Sequence, residues 1–194
     1  VGSLRTDFAW WLAAKLLVWL LPAFLIARAR GQRDLLPWLG FQPGQSLFAG
    51  YAVCWIWLAG QWMLAALRLT PRPQPHFDLS VFSACVLSPL LEEAVFRGFA
   101  LGWLVDVGWR QVPAVLTSTA MFGGLHLVGW TARGELWSRA RGDLPFILLL
   151  GALAALLRLW TRSLWPSIVL HAVNNAGAQG AIVAVLRALG LGLW

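Results

Sequence analysis

Apolar segments long enough to cross a bilayer follow one another through almost the whole chain and leave little room for any other architecture. A transmembrane helix needs about 20 mostly apolar residues. Stretches of that order run over about 8–27, 46–67, 79–107, 112–128 and 144–160, and a further one begins near Ser163. At about 20 residues each, six spans use roughly 120 of the 194 residues, so no soluble domain fits in the remainder. Hydrophobic residues make up 59% of the chain and charged residues 12%, and the mean hydropathy is +0.69. A soluble domain of this size could not bury so much apolar surface in one core, and disordered chains are poor in large apolar residues. The fold expected is all-α: a polytopic transmembrane helix bundle of about six spans, with a short or re-entrant seventh segment in the apolar tail 181–194.

The connections carry the breakers and most of the charge. Gly31, Pro37, Gly40, Pro43 and Gly44 punctuate 28–45, and the three prolines of 70–75 exclude a helix there. The polar stretch 131–143 reads as a loop with a surface helix, and Gly177 and Gly180 as breakers of the sixth span. Ala27-Arg28-Ala29 imitates a signal-peptide cleavage site, but no basic region precedes the first apolar stretch, which is read as a retained helix. The organisation expected is one membrane domain, with two helices and their loops in 1–78 and the functional core in 79–194.

The net charge of +7 comes from fourteen arginines and one lysine against eight acids. These arginines form no stripe but fall between the apolar segments, beside lipid headgroups, so the expected partner is the bilayer and not nucleic acid. Strict alternation puts six arginines on each side, Arg5, Arg68 and Arg72 among them, which leaves orientation undetermined by the positive-inside rule. Trp38, Trp109, Trp130, Trp160 and Trp165 lie near segment ends, where an indole ring favours the interface. Cys54 and Cys85 sit in apolar runs and do not suggest a disulfide scaffold.

Ionisable groups inside a bilayer are costly, and their default reading is functional. Lys15 lies near the middle of the first apolar stretch, and three further constellations stand out. Glu93 and Arg97 are four apart on one helix face and can pair, whereas Glu92 is turned away by about 100° and is expected to be left free, an unpaired carboxylate able to take a proton from water. Phe122 and His126 share a face, with Gly123 and Gly124 allowing close approach of another helix or a substrate chain. His171 and Asn175 share a third face, and Asn174 beside them suits an interhelical hydrogen bond.

Two chemistries fit one Glu, two His and one Asn on three helices. Glu92 can act as a general base on a water, with the histidines and Asn175 positioning that water and stabilising the oxyanion. Or His126, His171 and a glutamate can ligate zinc with a position open for water. No His-Glu-x-x-His is present. Ser80, Ser83 and Ser88 lack a Gly-x-Ser-x-Gly elbow, and Cys85 reads as packing. A transporter or proton relay is weakened by the absence of internal repeats.

Glu-Glu-x-x-x-Arg at 92–97, Phe-x-x-x-His at 122–126 and His-x-x-x-Asn at 171–175 occur in the order found in the CAAX protease and bacteriocin-processing (CPBP) family. The run from Ser163 to His171 also resembles that family's lead-in to its last motif. The resemblance spans about 79–178 and implies an intramembrane endopeptidase acting on a membrane-bound protein or peptide. By motif position it implies Glu92, His126, His171 and Asn175 as catalytic, with Glu93, Arg97 and Phe122 in support. The family has been described both as metalloproteases and as metal-independent glutamate proteases. The second is favoured, with no cofactor; the zinc version would use Glu92, His126 and His171. A non-enzymatic bacteriocin-immunity or scaffold protein is the further alternative, and a prokaryotic plasma (inner) membrane the expected location.

Overall fold

The computed structural model describes residues 9–10, 12–67 and 78–189, and among them the regular elements are all helices. They are α1 (Leu12–Ala29), α2 (Leu35–Leu39), α3 (Leu47–Ala66), α4 (Leu79–Asp106), α5 (Gln111–Ala132), α6 (Leu136–Gly142), α7 (Leu144–Thr161), α8 (Trp165–Ala178) and α9 (Ala181–Ala188). Five of these, α1, α3, α4, α5 and α7, are long and apolar enough to cross a membrane. The proline-rich 70–75, Arg5, Arg68, Arg72 and the last five residues of the tail lie outside the described residues.

The sixth expected span is divided. α8 has 14 residues and α9 has 8, separated by a turn at Gln179 and Gly180. Gly180 has φ +73°, the left-handed region that a residue without Cβ enters freely. Gly177, by contrast, stays inside α8 and packs on Gln61 of α3. The surface helix expected in 131–143 is α6, flanked by exposed ion pairs such as Arg139–Asp143 at 3.1 Å, which contribute little in water. One helix was not expected: α2 forms despite Pro37, because the proline sits in a first turn, where its missing N–H has no intrahelical acceptor to lose.

α8 is the centre of the bundle, packed on α3, α7 and α4, while α7 also packs on α5. The buried faces are lined by small residues such as Ala154 and Ala155, which let backbones approach. Hydroxyls tie the helices together across these faces. Ser118 Oγ donates to the Phe96 carbonyl (2.8 Å) and Ser167 Oγ to that of Ala154 (2.8 Å). The outer surface is apolar: Leu17, Phe48, Trp55, Ile56 and Val128 are all exposed, as lipid-facing side chains should be. Trp109, Trp160 and Trp165 are exposed near helix ends, but Trp130 turns inward, only 4% exposed, and packs on the His126 ring.

Candidate active site

The carboxylates are carried by α4, whose helical ladder changes pitch on either side of them. The α-helical turn Ser88–Glu93 lies between two π-helical stretches, Ser83–Leu87 and Ala94–Ala100. Pro89 has no N–H to return to the preceding turn, which is where the first stretch ends. α1 brings a third π-helical stretch, Lys15–Leu20, against this part of α4. Such widened turns recur at functional sites.

Glu93 and Arg97 pair as their spacing requires, Oε1 to Nη1 at 2.9 Å, with the side chains 1% and 0% exposed. Arg97 also donates through Nη2 to the Gly151 carbonyl of α7 (3.0 Å) and lies over the Phe122 ring, 4.3 Å from its centroid. A Cβ on Gly151 would stand 3.1 Å from Arg97 Nη2, so the guanidinium reaches α7 only because that side chain is absent. Phe122 is the hub of the site. Its buried ring meets Phe96 (5.5 Å), His126 (4.8 Å) and His171 (5.5 Å) edge to face, a geometry aromatic quadrupoles favour.

Glu92 corrects the expectation from sequence. It is turned away from Arg97 as expected, but it is not unpaired. Lys15 Nζ lies 2.5 Å from Glu92 Oε1, and Ser88 Oγ donates to the same oxygen at 2.6 Å. Lys15 also reaches Ser88 Oγ (2.8 Å). The pairing comes from a helix distant in sequence, which helix-face arithmetic on α4 cannot reveal. The clue available was Lys15 itself, the one lysine of the chain, set in an apolar span where a charge needs a partner.

His171 is 4% exposed and sits between the two carboxylates. Nδ1 donates to Glu93 Oε1 (2.9 Å), and Nε2 lies 3.9 Å from Glu92 Oε2. On α5, His126 Nδ1 donates to the Phe122 carbonyl (2.9 Å). With Nδ1 as the donor, Nε2 carries the lone pair in the neutral form of either ring. Asn175 faces α4 at another level: Nδ2 donates to the Ala84 carbonyl (2.8 Å), and Oδ1 accepts from Asn174 (3.2 Å). Asn174 Oδ1 accepts from Trp57 (3.0 Å) and Gln61 (2.8 Å) of α3, the interhelical role its position suggested. Of the paired glycines, Gly123 packs under Leu148 of α7, while a Cβ on Gly124 would meet nothing within 4 Å.

Among the described residues no three His, Cys, Asp or Glu side chains converge as a metal site would need, and one Glu92 oxygen already holds an ammonium and a hydroxyl.

Residues 75–177, just over half of the chain, match the family model described as type II CAAX prenyl endopeptidase Rce1-like. The chain belongs to this family. No curated protein and no solved structure matches it. The Rce1-like segment contains Glu92, Glu93, Arg97, Phe122, His126, His171 and Asn175, and its membership makes the protein, broadly, a CAAX-type protease of the membrane. Lys15 and the whole of α1 and α3 lie outside the matched residues.

Proposed function

We propose that the protein is an intramembrane endopeptidase that hydrolyses a peptide bond of a membrane-anchored protein or peptide by a glutamate-activated water. The observation that carries this reading is the pair Glu92 Oε2 and His171 Nε2, two acceptors 3.9 Å apart. The distance is too long for a direct hydrogen bond and short enough for one water to donate to both. A water held in that way turns its lone pairs outward, toward a substrate carbonyl.

Glu92 takes a proton from the water as the water oxygen bonds to the carbonyl carbon, and returns it to the leaving amine as the C–N bond breaks. Glu93 fixes the His171 tautomer through Nδ1, and Arg97 balances the charge of Glu93. The oxyanion is met by the second N–H of the Asn175 amide. Serine chemistry is less well supported. Ser88 is close to Lys15, but a lysine engaged with a carboxylate has no lone pair to take the serine proton. The roles as written require no metal.

The test is cleavage by purified protein in liposomes, using a farnesylated C-terminal peptide, the same peptide without its lipid, and a peptide anchored by a transmembrane helix. Products are read by mass spectrometry with and without a chelator. Cleavage of an anchored peptide that survives chelation supports the proposal; strict dependence on added zinc contradicts the metal-free mechanism.

A further inference from the structure

Six ionisable side chains meet in the site: two carboxylates, Glu92 and Glu93, two cations, Arg97 and Lys15, and the imidazoles of His126 and His171. Arg97 is committed to Glu93 and to the Gly151 carbonyl. With the two imidazoles neutral, loss of Lys15 would leave one uncompensated negative charge at a place where Glu92 is only 7% exposed. Buried charge of that kind is retained only when paired.

The pairing is also directional. Lys15 and Ser88 both take Glu92 Oε1, while Oε2 is the oxygen that faces His171 Nε2. Anchoring one oxygen fixes the rotation of the carboxylate and so fixes where the other points. Lys15 is itself held. Its ammonium lies over the Trp19 ring, 4.8 Å from the centroid, and Trp19 packs edge to face on Phe96 of α4 at 6.2 Å. α1 is thereby seated on the carboxylate helix through Lys15, which touches Glu92, and through Trp19, which packs on Phe96.

We propose that Lys15 is a positioning residue for hydrolysis: from α1, outside the segment shared with the family, it pairs with Glu92 Oε1 and holds the carboxylate with Oε2 toward His171. This rests on Glu92 being the base. The opposite role, a latch that keeps the base occupied until α1 moves away, would make loss of Lys15 activating.

The experiment compares Lys15→Met, Lys15→Gln, Lys15→Arg and Glu92→Gln in the full-length protein, each as monodisperse folded material, on one cleaved peptide. Lys15→Met should lower kcat by about tenfold to a hundredfold, a part of the ~10²–10⁴ that a general base supplies, with KM within about twofold. Lys15→Arg, which keeps the charge, should recover most of that loss. Should Lys15→Met not fold, Lys15→Gln, which keeps a donor without the charge, carries the comparison and should lose kcat likewise. Unchanged kcat in Lys15→Met or Lys15→Gln, a kcat above that of the unmodified protein, or no recovery in Lys15→Arg overturns the positioning role. Full activity in Glu92→Gln would instead overturn the base assignment on which it rests.

Discussion

His171 is held by Glu93, with Nδ1 2.9 Å from Oε1. A carboxylate can only accept, so this contact fixes the ring tautomer and leaves the Nε2 lone pair facing the neighbouring glutamate. The two adjacent glutamates therefore divide the work. Glu93 orients the histidine and pairs with Arg97, and in the proposed mechanism Glu92 is the one presented for chemistry.

That division predicts a stability phenotype for the first pair. Arg97 is 0% exposed and Glu93 1%, so removing one partner strands a buried charge. Arg97→Met or Glu93→Gln should each destabilise the fold by about 3–5 kcal/mol, the usual cost of breaking a buried pair. The double variant should lose much less than the sum. Denaturant unfolding in detergent, followed by tryptophan fluorescence, measures this. Additive losses would show that the pair does not couple.

Gly151 and Gly124 make a matched comparison on neighbouring helices. A Cβ at Gly151 meets Arg97 Nη2, Thr119 Cγ2 and Phe122 Cδ1 at 3.1–3.3 Å. Gly151→Ala should cost about 1–3 kcal/mol, as overpacking does, and should also lower activity by displacing Arg97. Gly124→Ala, with open space around the added methyl, should stay within about 0.5 kcal/mol of the parent. Thermal unfolding of the two variants side by side decides it; equal effects would mean that Arg97 does not depend on close approach to α7.

The adjacent asparagines should separate stability from chemistry. Asn174 joins α8 to Trp57 and Gln61 of α3. Asn174→Ala should therefore lose about 1 kcal/mol, typical of intramembrane hydrogen bonds, and, although it also gives up its bond to Asn175 Oδ1, should lose far less kcat than Asn175→Ala. Asn175→Ala should lose roughly 10²–10³ in kcat if its amide meets the oxyanion. A loss of stability alone in Asn175→Ala would restrict that residue to its bond with Ala84.

Much of this was legible from residue order. Glu93–Arg97 could be read because both partners lie on one helix at a spacing that fixes their geometry. The long spans could be read because a bilayer imposes length and apolarity on each of them. The Lys15–Glu92 pair could not, since its partners are 77 residues apart and only tertiary packing brings α1 to α4. Gly151 was invisible for the same reason: its importance lies in what approaches it, not in its own helix. The inward turn of Trp130 shows the limit of the interface rule, because a segment end can also face the site.

The central claim is that Glu92 is the base. Glu92→Gln keeps the shape and an acceptor for Lys15 and Ser88 while removing the proton-accepting charge. The deciding measurement is kcat/KM for cleavage of one anchored peptide by the parent and Glu92→Gln proteins, both confirmed as folded by their melting curves. A fall of about 10²-fold or more is predicted, in line with the loss of a general base. Cleavage at the parental rate by folded Glu92→Gln would contradict the account.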